Sequence, residues 1–439
     1  MSKPVCLVTA PVATRSGYGA HSRDICRALI KLDRYDVKIW PVRWGSTPMN
    51  ALHHDDENDK MIIDRLLSSP ELPKQPEIHV HIVIPTEFTP LAKYNIGITA
   101  GLETTACPPE WIQGVNKMNL NIVPSNFVKT TLTNTTYDIQ NEKTKEVEGE
   151  LKLEKPIEVL FEGIDTNIYK KTNEFSQALV DEMSQIEEEF SFLYVGHWLQ
   201  GGLGQDRKDT GMLVKVFCET FKNMKNQPAL IMKTSSAGFS VLDRENMLNK
   251  IHEIKSTITG NLPNIYLLHG DFMDEEINEL YNHPKVKAHV SFTHGEGFGR
   301  PLLEATVSEK PVITPNWSGP VDFLDRSKSI LLEGSLANVE KGSFPDNFFV
   351  EGSQWFTVNY QKASQTLRKV YRSYKKYTLG AKKLAIQNKL KFSLDEMTKQ
   401  LGILLDKYVP EFPEEVKLQL PKLKKVDTPK IKLPKLKKV

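Results

Sequence analysis

A chain of 439 residues, 39% apolar and 26% charged, suits two ordinary globular domains and excludes fibrous or wholly disordered classes. The net charge of +2 conceals an asymmetry. From Lys417 onward there are nine lysines and one acid, Asp427, so a short tail of +8 follows a body of −6. Such a tail suits nucleic acid, an anionic membrane or an acidic partner, and charge alone does not choose among them. The cysteines, Cys6, Cys26, Cys107 and Cys218, have neither close pairing nor metal-type spacing and read as free thiols of a reducing cytoplasm. The apolar run Val5–Ala10 is too short for a signal peptide, and no segment approaches about 18 uninterrupted apolar residues, so a cytoplasmic protein without a membrane span is expected.

Short apolar runs alternate with amphipathic stretches, the pattern of a parallel sheet covered by helices. Val5–Ala10 predicts a buried strand, followed by the loop Thr14–Gly19, a helix over Ala20–Leu32 and a strand over Val37–Val42. His79–Ile84, Tyr94–Ala100 and Leu120–Val123 predict further strands, and Ser125 caps a helix running to Leu132. The polar stretch Asp138–Lys155 suits a surface hairpin or insertion, and Ile157–Leu160 closes the first half. The second half repeats the alternation. Strands are expected at Phe192–Val195, Ala229–Lys233, Ile265–Leu268, Ala288–Phe292 and Val312–Thr314, with helices at Gly211–Phe221, Arg244–Ile254, Asp274–Tyr281 and Gly299–Val307. Ala363–Leu390 and Leu394–Val409 are expected as helices. Beyond Pro410 the seven residues Leu-Pro-Lys-Leu-Lys-Lys-Val occur twice, a composition that cannot build a core and predicts disorder. The expected domains are residues 1–162 and 163–393, a returning helix at 394–409 and the basic tail 410–439.

The strongest chemical signal is the run Thr293–Ala305, in which a strand leads through a glycine-rich turn into a helix. Small residues let the backbone approach an anion, and free N–H groups at a helix start attract phosphate. Glu296 on the loop and Glu304 in the helix have seven residues between them, so they reach different parts of one extended ligand. Carboxylates suit sugar and ribose hydroxyls, which donate charge-assisted hydrogen bonds to them.

This run is similar to the E-x7-E signature of family-four retaining glycosyltransferases. Other stretches resemble that family in order: Gly101-Leu102-Glu103-Thr104-Thr105 followed by Trp111, Val123–Lys129, Gly163-Ile164-Asp165-Thr166, Tyr194-Val195-Gly196 with Arg207-Lys208, and Asn316–Pro320. The resemblance covers residues 5 to about 408. It implies an α/β chain with two Rossmann-like domains facing across a cleft (GT-B) and a last helix crossing back to the first domain. It also implies transfer of a sugar from a nucleoside diphosphate sugar to an acceptor hydroxyl, with retention and front-side attack.

Residue by residue, the resemblance places Glu296 at donor-sugar hydroxyls, the Gly297-Phe298-Gly299 backbone along the sugar diphosphate and Glu304 at the ribose, with His294 a further donor-binding residue. Lys208 offsets the diphosphate charge, and Arg207 shares that task. Where many members carry Arg after Val-Gly, this chain has His197, so Arg207, Lys233 or Arg300 is left to supply the second cation. Gly17, Tyr18 and Gly19 resemble the first domain's glycine loop, which faces the diphosphate. Glu103 follows a strand where ligand-facing residues collect, and it is a catalytic candidate beside Glu296 and Lys208. His81 is a further candidate, although a strand position favours packing.

No metal site is evident, because the adjacent side chains of His53-His54-Asp55-Asp56 diverge. The expected donor partner is therefore a nucleotide sugar handled without metal or cofactor. The acceptor is open, and the lysines of residues 417–439 suit a polyanionic one such as DNA. Two alternatives stay open: a sugar-nucleotide epimerase or phosphorylase of related fold, and a scaffold that binds nucleic acid through its tail.

Overall fold

Runs rich in Val, Ile and Leu form two parallel sheets whose central strands are buried on both faces, which is why their sequences lack alternation. The structure, a computed structural model, describes residues 3–141, 143–236, 238–343, 348 and 350–413. The first sheet has six strands, in the order β2 (Asp36–Pro41), β1 (Val5–Ala10), β3 (Ile78–Ile82), β4 (Tyr94–Ile98), β5 (Leu120–Val123) and β8 (Ile157–Val159). The second also has six, in the order β11 (Ile265–Leu268), β10 (Ala229–Ser235), β9 (Ser191–His197), β12 (Val286–Val290), β13 (Val312–Pro315) and β14 (Ile330–Leu332). Two antiparallel hairpins stand apart: β6 (Tyr137–Gln140) with β7 (Val147–Leu151), and β15 (Gly334–Asn338) with β16 (Gln354–Val358).

Helices cover the sheets. The first half carries α1 (Gly17–Leu32), α2 (Glu57–Ile63), α3 (Pro109–Asn116) and α4 (Asn126–Asn134). The second carries α5 (Gln177–Ser184), α6 (Thr210–Phe221), α7 (Val241–Ser256), α8 (Asp274–Asn282), α9 (Arg300–Thr306), α10 (Tyr360–Arg372) and α11 (Lys375–Lys391), and α12 (Leu394–Tyr408) ends the unit. Ser16 caps α1 by accepting from Gly19 N, and Ser125 caps α4 by accepting from Val128 N. Phe192, Phe217, Phe221 and Leu367 fill one side of the second sheet, and Leu193, Ile231, Leu303 and Phe323 fill the other. The α/β architecture expected from the alternation is present.

The chain returns to the first half at its end. Residues Met1–Val409 form one compact unit, and α12 lies along α1. Lys31 pairs with Asp395 at 2.6 Å, Arg34 with Asp406 at 2.5 Å and Lys407 with Glu158 at 2.7 Å.

Three local features differ from or extend the sequence expectation. The single helix expected over 363–390 breaks at Ser373, which is non-helical, and Tyr371 and Tyr374 turn edge-on against Phe190 there. The polar stretch after Asp138 forms the β6–β7 hairpin. The β15–β16 hairpin was not expected. It reaches the first half, where Thr105 N donates to Gln354 O (2.8 Å) and Gln354 N donates to Thr105 Oγ1 (2.9 Å). Of the tail, residues 414–439, with both heptapeptides, lie outside the described residues.

Candidate functional site

The carboxyl ends of the two sheets meet at the loop 295–299. Gly297 packs so closely on the first half that a Cβ there would lie 2.0 Å from Ala100 O, and a Cβ on Gly295 would lie 2.5 Å from Glu103 O. Ser125 Oγ donates to Gly297 O at 2.6 Å. On its other side the loop is held by residues 316–320, where Glu296 N donates to Ser318 Oγ (3.0 Å) and Gly319 N donates to Glu296 O (3.0 Å). Gly299 takes φ +93°, a left-handed turn that glycine adopts without strain, and α9 starts directly after it.

Five ion pairs ring this junction. Lys208 Nζ donates to both Glu296 oxygens at 2.5 Å. Arg207 pairs with Glu103 across the two halves. Arg300 pairs with Asp24 of α1, again across the halves, and its Nε reaches Glu304 Oε1 at 2.9 Å. Arg15 Nε lies 3.2 Å from Asp271 Oδ2. Glu304 is buried, which pushes its carboxyl up to about 7 against the charge of Arg300, and Tyr281 donates a hydrogen bond to it at 3.3 Å. Glu162, buried at the end of the first half near Arg300, Asp24, Glu304 and Glu296, is also pushed up to about 7 by burial.

The remaining candidates occupy distinct places. Tyr18 stacks on Trp44 with centroids 3.9 Å apart, and its hydroxyl lies 2.9 Å from Thr99 Oγ1 and accepts from Ala100 N at 3.1 Å, on the strand end that leads to Glu103. Gly17 has open space around it, whereas Gly19 is a packing glycine, since a Cβ there would lie 2.2 Å from Thr14 O. Phe298 buries its ring against Phe323, which leaves its backbone on the loop. Lys233 is no solvated strand end. It donates to Gly270 O at 2.9 Å beneath the rings of Phe239 and Phe272, and burial brings its amine down to about 8. His197 sits among Arg207, Lys208 and Lys233. Burial first and those cations second bring it down to about 4, so it is neutral near pH 7 and adds no charge to the cluster.

Two sequence candidates find other tasks. His294 is fully buried, stacked on Trp355 at 4.1 Å, with Nδ1 2.8 Å from Phe356 O and Nε2 3.2 Å from Gly204 O. Its ring has no polar atom left for a ligand and instead braces β16 behind the loop. His81 is buried in β3, where its Nδ1 accepts from Thr89 N at 3.3 Å. His53 lies 3.0 Å from Arg15 and Asp56 caps α2, so these neighbours of the His-Asp run serve the backbone and Arg15. Among the described residues, no group of three or more His, Cys, Asp or Glu side chains is arranged to hold a metal ion, and no helix is long and apolar enough to cross a membrane. Arg15, Asp24, Glu162 and Asp271 are the charged residues the sequence did not single out. Arg15 and Glu162 border the glycine loop and the Gly163–Thr166 stretch without belonging to them, and Asp24 and Asp271 have no local motif around them.

Two six-stranded parallel sheets with a returning C-terminal helix match solved glycosyltransferases. HepE of Anabaena in complex with UDP-glucose superposes with a TM-score of 0.58 at 13% identity, over 92% of this chain and all of that one. Sucrose-phosphate synthase of Thermosynechococcus elongatus gives 0.58 at 12% identity, over 92% of this chain and 98% of that one. The fold is GT-B. At these identities the likeness speaks for the fold alone. In sequence, the capsular polysaccharide biosynthesis glycosyltransferase CapM of Staphylococcus aureus is 27% identical over 202 residues, 46% of this chain and 47% of CapM, so the match spans about half of that relative's length. No protein-family model matches the chain.

Proposed function

We propose that the protein is a retaining glycosyltransferase that moves a sugar from a nucleoside diphosphate sugar, a UDP-sugar being the first choice, to an acceptor hydroxyl. The observation that carries this reading is the arrangement around Lys208. A lysine and an arginine, each held by a carboxylate, stand at the glycine loop between the two sheets. UDP and UDP-glucose in the HepE complexes support the donor class, and the name of CapM supports sugar transfer.

The paired charges suggest an exchange. An arriving diphosphate takes Lys208 and Arg207, which frees Glu296 for donor hydroxyls and Glu103 for the acceptor side. Arg300 favours the ionised form of Glu304, which faces the ribose. As the sugar bond breaks, Lys208 offsets the growing phosphate charge, work that fixed cations do without reorganisation. In this proposal no metal or cofactor is needed, the first sheet presents the acceptor and the second holds the donor. Closure of the cleft would exclude water. The acceptor is proposed to be polyanionic and held by residues 417–439.

Diphosphate release is to be screened over a panel of nucleotide sugars, with Glu304→Ala as control and with EDTA in one arm. Release by the wild type alone, surviving EDTA, is expected. Equal release by both proteins for every donor would overturn the site assignment. Proton NMR of the first-formed product reads retention from its anomeric coupling. Truncation after Pro410 should weaken acceptor use at low salt and spare donor hydrolysis; unchanged acceptor kinetics would remove the tail from the proposal.

A further inference from the structure

Helix α11 carries two apolar faces. Ala381, Leu384, Ala385 and Asn388 are buried, and Asn388 Nδ2 donates to Thr306 Oγ1 of α9 at 3.1 Å. On the opposite face Leu379, Ile386 and Leu390 are 63%, 62% and 72% exposed. At about 100° per residue these three side chains fall within an arc of about 40°. The same wheel places Lys375, Lys382 and Lys389 on one flank and Lys376 and Lys383 on the other. With Lys391, the helix has six lysines and no acid. The positive surface continues past the helix to the exposed Lys171, whose amine is lowered by burial first, raised by nearby Glu309 and lowered again by Lys382.

The chemistry of this face selects its occupant. Burying Leu or Ile gains about 1.5–3 kcal/mol each, so three on one stripe favour contact with an apolar phase. A second copy of the helix would set six lysines against six. Nucleic acid would engage the lysines and leave the aliphatic stripe in water. An anionic bilayer engages both, with headgroups on the lysine flanks and the acyl boundary against the stripe. We propose that the exposed face of α11 is a docking surface for anionic lipid bilayers, with Leu379, Ile386 and Leu390 entering the interface between rows of lysine. The proposal goes beyond the transfer reaction and stands independently of it.

The test uses the full chain carrying Leu390→Cys, labelled with an environment-sensitive fluorophore; the four native cysteines are buried. Vesicles of phosphatidylcholine alone are compared with vesicles that also contain phosphatidylglycerol. A blue shift confined to the anionic vesicles is expected. Leu379→Ser/Ile386→Ser/Leu390→Ser and, separately, Lys382→Glu/Lys383→Glu should each weaken vesicle binding at least tenfold in flotation. These positions are exposed, so circular dichroism should match the wild type. The proposal is overturned by an absent shift, even if the chain floats with vesicles through its basic tail. It is equally overturned by a shift that duplex DNA produces and vesicles do not.

Discussion

Lys208 Nζ lies 2.5 Å from each carboxylate oxygen of Glu296, and both side chains are largely withdrawn from water. A lysine committed to both oxygens competes with sugar hydroxyls for the lone pairs of the carboxylate. Lys208→Met keeps the length and removes the charge. Turnover should fall about 10²–10³-fold, the usual cost of losing a preorganised charge partner. Stability should fall by about 1–3 kcal/mol, because Glu296 is left unpaired. Adding Glu296→Gln should restore the melting temperature and leave turnover low. Recovery of both together would mean the pair serves the fold alone.

Arg300, itself largely withdrawn from water, joins α1 to α9 through the buried Asp24 and Glu304. Arg300→Ala leaves two buried carboxylates without their cation, a loss of about 3–5 kcal/mol for a broken buried network. Glu304, already pushed up to about 7, takes a proton as the pH falls and sheds its share of that cost. The gap in melting temperature between wild type and variant should therefore be wide at pH 8 and narrower at pH 5. A gap independent of pH would mean that Glu304 is not the group Arg300 supports.

Glu162 titrates with the same sign. Its carboxyl is raised from the ordinary 4.5 to about 7, chiefly by burial. The folded state holds this proton more tightly than the unfolded chain. The stabilisation is complete below pH 4.5 and is lost as the pH rises through 7. Glu162→Gln cannot ionise. It should match the wild type near pH 5 and be the more stable protein at pH 8, by on the order of 3 kcal/mol for a shift of this size at about 1.4 kcal/mol per pH unit. Urea unfolding at the two pH values reads the difference; equal stability at pH 8 would place Glu162 in water.

The sequence carried the sheets and the loop because both depend on local pattern. Apolar runs such as Val5–Ala10 and Ala229–Met232 are buried and read as strands alone, and Gly295 and Gly297 sit where a Cβ would strike Glu103 or Ala100. Arg207 and Lys208 stood out because a motif surrounds them. Asp24 and Arg15 did not, since each meets its partner across the junction, Arg300 and Asp271 of the other half. The task of His294 was hidden for the same reason. Its partners Trp355 and Phe356 belong to the β15–β16 hairpin, some sixty residues later, which no periodicity announced. The break at Ser373 depends on the tyrosines that dock on Phe190, again a tertiary choice.

A backbone contact between the halves gives the last prediction. Ser125 Oγ donates to Gly297 O from the first half, and a Cβ on Gly297 would lie 2.0 Å from Ala100 O. Backbone cannot yield there as a flexible side chain would, so Gly297→Ala must move one half away from the other. Each half keeps its own core, so circular dichroism should be unchanged. Small-angle scattering should report a larger radius of gyration, and donor turnover should fall at least a hundredfold, since a misplacement of about 1 Å already costs on the order of 10²-fold. Gly149→Ala is the control, because its Cβ would meet only Ile139 Cδ1 at 3.8 Å, an ordinary contact in the β6–β7 hairpin. A Gly297→Ala protein with unchanged dimensions and full turnover would show that reaction does not require the two halves to meet at this loop.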